Sequence, residues 1–347
     1  MLQVTKIDEV MNVVHFQRKP RSTGNFSAEF IANDLRERLG GLVRFRVAVS
    51  SFKSNGIFRR LYNCLEAWWR QGEVNHVTGD VNYLGLFLRP SRCIQTILDC
   101  VHLDSCSGLR YSVLRWFWLA IPTRRCRLII AISEATKAQI LRHVQCDPKK
   151  IVVIPVAISA GFSPCAKPFN RVFPRLLQIG TAPNKNVFRL LDAVRGLDCV
   201  LDIVGGPDPA LTRALEASGI RYEFRTGLSA SEIIEAYQLA DVVTFVSTYE
   251  GFGMPILEAQ ATGRVVVTSN VHSMPEVAGD AACLVDPFSV ASIRAGIRRV
   301  IEDDGFRSGL IARGFDNVKR FDPNSIALRY LEVYREVAST APLLPNR

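Results

Sequence analysis

Among nine cysteines no two stand in a C-x-x-C arrangement, and Cys93, Cys100 and Cys106 follow one another at intervals of seven and six without a matching histidine pair. Neither a zinc site nor a disulfide framework is expected, and the cysteines read as small core residues. Apolar runs such as 116–121 fall far short of the roughly 20 residues a membrane-spanning helix needs. The sequence also lacks a G-x-x-x-x-G-K-[ST] phosphate loop and a G-x-S-x-G nucleophile turn, which argues against an ATPase and an α/β-hydrolase. Lys6, Asp8 and Glu9 leave no apolar signal core near the first residue, so a reducing, cytosolic compartment is expected.

What is present suits two folded domains: 347 residues, 48% of them hydrophobic and 22% charged. A buried strand is expected over 10–16 and an amphipathic helix over 27–39, with Phe30, Ile31, Leu35 and Leu39 on one side. Further strands are expected over 43–49, 93–98, 128–132 and 151–155, and helices over 57–69, 111–121 and 134–143, the last N-capped by Ser133. The stretch 157–174 is turn-rich, holds three prolines and reads as an interdomain linker. Alternation then restarts, with strands over 175–180, 199–204, 242–246 and 265–269 and helices over 186–194, 209–217, 231–239 and 255–261. Strands and helices alternating at this spacing imply parallel sheets with right-handed crossovers, hence two doubly wound α/β domains.

The densest chemical signal lies in 242–263, where a strand runs into a glycine-containing turn and then a helix, the place where open parallel sheets bind ligands. Gly251 and Gly253 allow close backbone approach and Pro255 suits a first helical turn, so amides and the positive helix end would face an anion such as a phosphate. Glu250 and Glu258, with seven residues between them, can accept hydrogen bonds from sugar and ribose hydroxyls beside a diphosphate. A nucleotide sugar is therefore a better guest than a bare phosphate. The G-F-G fragment alone is no dinucleotide fingerprint, since Ile256 stands where its third glycine would be.

E-G-F-G-M-P-I-L-E at 250–258 resembles the E-x7-E motif of the retaining glycosyltransferases of family 4, the glycosyl transferases group 1, which have the GT-B fold of two Rossmann-like domains facing a cleft. L-L-Q-I-G-T-A-P-N-K-N at 176–186, the segments 203–208, 228–240 and 273–287, and H-V-T-G-D at 76–80 are similar to other parts of the family pattern. The resemblance implies an acceptor-binding domain over 1–160, a nucleotide-sugar domain over 174–320, and a last helix over 321–340, centred on 323–337, that crosses back to the first domain. It implies that Glu258 binds ribose hydroxyls and that Glu250, with the backbone of Gly251, Phe252 and Gly253 and with Met254 beside them, holds the donor sugar. Lys185 would meet the diphosphate, Gly180 and Thr181 would let backbone approach phosphate, and Arg225 would edge the base pocket. Asp99 joins Glu250 and Lys185 as a catalytic candidate.

Two positions depart from the family pattern. The basic pair many relatives carry after Gly180 is Asn184 and Lys185 here, and the histidine many carry before the aspartate is Leu98. His102 could substitute, or be an ordinary exposed histidine. No D-x-D pair exists to hold a metal, so the expected reaction is metal-independent transfer from a UDP- or GDP-sugar, with no other cofactor. A nucleotide-sugar epimerase of the same fold and a binding subunit without catalysis are the alternatives.

Charge is unevenly spread. Up to residue 158 there are 23 Lys and Arg against 12 Asp and Glu, and beyond it 20 against 21, so the net +10 resides in the first half. An anionic or lipid-linked glycan acceptor at the inner membrane face would account for this, with the aromatic run 116–118 toward lipid; a solvated surface and an ordinary core helix are the alternatives. Nucleic acid is not expected, because no recognised binding module accompanies the charge.

Overall fold

The computed structural model describes residues 10–20, 27–104 and 106–340. The chain forms two units, one reaching Val156 and resuming at Pro323, the other Ala157–Asp322.

The first unit holds six parallel strands, β1 Met11–Gln17, β2 Val43–Val49, β3 Val74–Val77, β4 Cys93–Ile97, β5 Leu128–Ala131 and β6 Ile151–Val153, in the order β2-β1-β3-β4-β5-β6. The second holds β7 Arg175–Ile179, β8 Val200–Val204, β9 Arg221–Arg225, β10 Val242–Phe245, β11 Val265–Ser269 and β12 Cys283–Val285, in the order β12-β11-β10-β7-β8-β9. Central strands are buried on both faces, as parallel sheets require, and so read as continuous apolar runs.

Helices Ser27–Leu39, Ile57–Trp69 and Glu134–His143 begin and end where periodicity places them, and Ser133 caps the last by accepting from the Thr136 amide. The helix expected over 111–121 is longer. Gly108–Leu114 and Ile121–Arg125 flank a π-helical stretch Arg115–Ala120, whose wider turns lead into Pro122, a residue that a regular α-turn accommodates poorly. Trp118 packs against the core, whereas Trp116 and Phe117 are exposed.

Three strands escape the hydrophobic pattern for identifiable reasons. β3 is four residues long and buries Asn75 and His76. β9 is an edge strand that alternates Arg221, Glu223 and Arg225 with Tyr222 and Phe224. β12 spans three residues, too few to show a period.

The helix Pro323–Thr340 packs on the first unit and is pinned there by a buried polar chain. The Arg36 guanidinium donates to His15 Nδ1 (3.2 Å), which leaves the proton on His15 Nε2 to meet the Tyr334 hydroxyl (3.0 Å). Tyr334 then donates to His76 Nδ1 (2.8 Å), and His76 Nε2 donates to Thr96 Oγ1 (2.7 Å). This assignment, fixed by the donor-only guanidinium at one end, keeps both imidazoles neutral. Burial accordingly pushes His15 well below the usual histidine range and His76 down to about 3.

Because the unfolded chain takes up these protons near pH 6.5 and the folded one does not, stability is fully present above that pH and is lost as pH falls from 6.5 toward 3. The expected loss is about 1.4 kcal/mol per pH unit for each histidine. All four tryptophans, Trp68, Trp69, Trp116 and Trp118, lie in this unit, so tryptophan fluorescence in urea follows its unfolding. His76→Gln is expected to flatten the dependence between pH 7 and pH 5; an unchanged slope would assign it to other groups.

Candidate functional site at the strand switch point

In the second sheet β7 is flanked by β8 on one side and β10 on the other, so the connections leaving β7 and β10 diverge and open a crevice at the carboxyl ends of those two strands. Every candidate of the second unit except Arg225 lies on the two loops and the helix that follow these strands. Gly180 adopts φ +86°, and a Cβ there would come within 3.1 Å of the Lys185 side chain, so the glycine permits both the turn and the close passage of the lysine. Thr181 is fastened by its hydroxyl to the Gly206 carbonyl (2.9 Å).

Lys185 Nζ meets Glu250 Oε1 at 2.7 Å and lies 4.7 Å from the centre of the Phe245 ring. Asn184 adds its amide to the Glu250 carboxylate (3.2 Å) and to the Tyr249 carbonyl (3.0 Å), while its own carbonyl accepts from the Thr248 amide (2.8 Å). The loop after β7 is thus locked to the loop after β10. Gly253, at φ +115°, turns the chain into the helix Met254–Thr262, where Pro255, which has no N–H to leave unpaired, occupies the first turn and the Ile256 amide donates to the Gly253 carbonyl (3.0 Å). Met254 opens this helix, and Phe252, buried, stands edge-on to Phe321 with centroids 5.8 Å apart.

Glu258 sits one turn into the helix. Its Oε2 accepts from the buried Tyr237 hydroxyl at 2.6 Å and its Oε1 from Ser159 at 3.4 Å. Burial raises the carboxyl above its usual range, opposed by these two hydrogen bonds and by the charge of Lys185.

Arg225 does not join the group. Its Nε donates to the fully buried Asp202 (2.9 Å), and Arg175 holds the same carboxylate (3.1 Å), which places it in a charge cluster between β7, β8 and β9. Asp99 belongs to the first unit, where its Oδ1 accepts from the Val101 amide at the start of a short helix (3.1 Å), and Leu98 offers its carbonyl to Thr136.

Three contributors lie outside the motif: Tyr237, Ser159 and Ser273. The buried Ser273 hydroxyl is shared between the carbonyls of Glu250 (3.0 Å) and Phe252 (2.8 Å) and holds the turn from behind. Ser273 begins the S-M-P-E segment that follows the family pattern, but its sequence carries no sign of which carbonyls it would meet. Ser159 falls in a stretch that reads as linker.

A doubly wound unit with an ion pair and a helix start at its switch point, joined in one chain to a second such unit, is the GT-B class of glycosyltransferase fold. Anabaena HepE, solved in complex with UDP and glucose, is similar in structure, with a TM-score of 0.74 over 94% of this chain and 100% of that one at 17% identity. Residues 33–161 match the family model Glycosyltransferase Family 4, and residues 171–316 match Glycosyl transferases group 1. The chain belongs to the family 4, group 1 glycosyltransferases. It is 31% identical over 235 residues to O-antigen chain mannosyltransferase B of Escherichia coli, a match covering 60% of each. It is 32% identical over 248 residues to the MMP alpha-(1->4)-mannosyltransferase of Mycolicibacterium hassiacum, covering 65% of this chain and 58% of that protein. The match thus spans about 60% of the length of these curated relatives.

Ser273→Ala removes the hydroxyl that two carbonyls of the turn share. A loss of about 1 to 3 kcal/mol is expected in the unfolding of the second unit, followed by far-UV circular dichroism in urea. No loss would show that the turn is held by its other contacts.

Proposed function

We propose that the protein transfers a sugar, retaining its anomeric configuration, from a UDP- or GDP-sugar in the second unit to a glycan or lipid-linked acceptor in the first, in bacterial polysaccharide or glycolipid biosynthesis. A cytoplasmic protein working at the inner membrane face fits this role. The observation that carries the reading is the Lys185–Glu250 pair at 2.7 Å, set beside the first turn of Met254–Thr262 at the switch point. The mannosyltransferase relatives and the UDP-bound structural neighbour support it.

Lys185 and backbone amides of the turn that leads into Met254–Thr262 stabilise the departing diphosphate, which is electrostatic catalysis by groups already in position. Once Lys185 turns to the diphosphate, the Glu250 carboxylate it released accepts hydrogen bonds from the donor sugar. Glu258, fixed by Tyr237, accepts from the ribose. The bond between the anomeric carbon and the phosphate oxygen breaks as the acceptor oxygen bonds to the same face of that carbon, and the acceptor hydroxyl proton passes to the leaving phosphate. Charge is balanced by protein groups throughout, and no metal is required.

Thermal unfolding with UDP, GDP and their sugars tests the reading, because one nucleotide should raise Tm when present far above its Kd. Lys185→Ala is expected to weaken binding of that nucleoside diphosphate by about 1 to 3 kcal/mol in calorimetry. Glu258→Ala should raise donor KM, and Glu250→Ala should mainly lower kcat. Transfer should persist in EDTA. Equal indifference of wild type and Lys185→Ala to every nucleotide would end the donor-site assignment, and complete, metal-reversible loss in EDTA would end the metal-free mechanism.

A further inference from the structure

Helix Ile57–Trp69 is amphipathic in the sense opposite to that of a core helix. It buries only Asn63, Cys64 and Ala67 against its own unit. Ile57, Phe58, Leu61, Leu65, Trp68 and Trp69 are 47 to 84% exposed. At the α-helical spacing these six and Tyr62 fall within one arc of about 140°. Phe52, edge-on to Tyr62 with centroids 5.0 Å apart, enlarges the patch. An apolar surface this continuous marks an interaction site.

Its border indicates what it meets. The same stretch carries Lys53, Arg59, Arg60 and Arg70, the three arginines lying about 60 to 80° beyond the edges of the arc at helical spacing, and Glu66, the one acid in 51–71, is held by Arg70 (2.9 Å) and Ser51 (2.7 Å). Arg46 of β2 reaches the carbonyls of Arg70 and Gln71 and adds a further cation at that end. An anionic lipid surface accommodates both parts, taking the aromatic and aliphatic side chains roughly 5–10 Å into its headgroup boundary and the guanidinium groups against its phosphates.

We infer that Ile57–Trp69 lies in the plane of an anionic membrane surface with its apolar arc inserted. The π-helical stretch Arg115–Ala120 packs on the same Asn82–Leu86 segment as this helix and exposes Trp116 and Phe117, a lesser apolar contact. This deepens the lipid-linked acceptor reading but stands on the surface alone.

Sedimentation of the full chain with vesicles of phosphatidylglycerol and phosphatidylcholine in equal parts, and of phosphatidylcholine alone, tests it. Binding is expected to the anionic vesicles, several-fold less to the neutral ones, and less as salt rises from about 0.1 M to about 1 M. Phe58→Ser combined with Trp69→Ser should reduce the bound fraction several-fold with Tm unchanged, since both side chains are exposed. No wild-type binding to anionic vesicles, undiminished binding by the double variant, or loss confined to Phe117→Ser overturns the assignment. So does a concentration-dependent dimer that the double variant abolishes. Nucleotide-induced stabilisation measured on the same samples keeps the two readings apart: a chain that binds nucleotide but no vesicle loses only the membrane surface.

Discussion

Parallel strands cannot be joined by a tight turn, and the long right-handed crossovers they need decide where this chain can hold a ligand. In the second sheet the crossovers run outward in both directions from the β7 and β10 pair, which leaves the carboxyl ends of those strands uncovered. The other features depend on this geometry. Gly180 and Gly253 sit at left-handed positions because the chain must turn sharply there, Asn184 can reach the backbone of Tyr249 because the two loops are neighbours, and Ser273 completes the wall from the next strand along.

The two glutamates of the site live in different electrostatic surroundings although they belong to one motif. Glu250 is paired with a cation that a polyanionic ligand could draw away. Glu258 is held by neutral hydroxyls, with burial working against its charge. One carboxylate is exchangeable and the other fixed, as the proposed division between a reacting sugar and a ribose that only has to be held requires.

Most of the architecture was legible in the sequence because buried parallel strands are written as apolar runs and amphipathic helices as a period. Ile57–Trp69 and Glu134–His143 show this to the residue. β3 was not legible, since a strand carrying Asn75 and His76 looks polar until the helix that satisfies His76 is known, and that helix lies at the other end of the chain. The motif residues of the site share two consecutive loops and could be read together, whereas Tyr237, Ser159 and Ser273 reach it only through tertiary packing. Arg225 was read as a pocket edge from its sequence position, and its pairing with the fully buried Asp202 could not be read there, because Asp202 lies on a different strand.

Tyr334 closes the hydrogen-bond chain that begins at Arg36, and it is contributed by a helix that begins at Pro323. During synthesis, therefore, the buried faces of His15 and His76 wait for their partner until almost all of the described chain has emerged. The intervening unit, by contrast, is one uninterrupted segment and has every strand it needs well before then. The order of maturation is thus the reverse of the order of translation: the second unit can finish first, and the first unit, begun earliest, is sealed last.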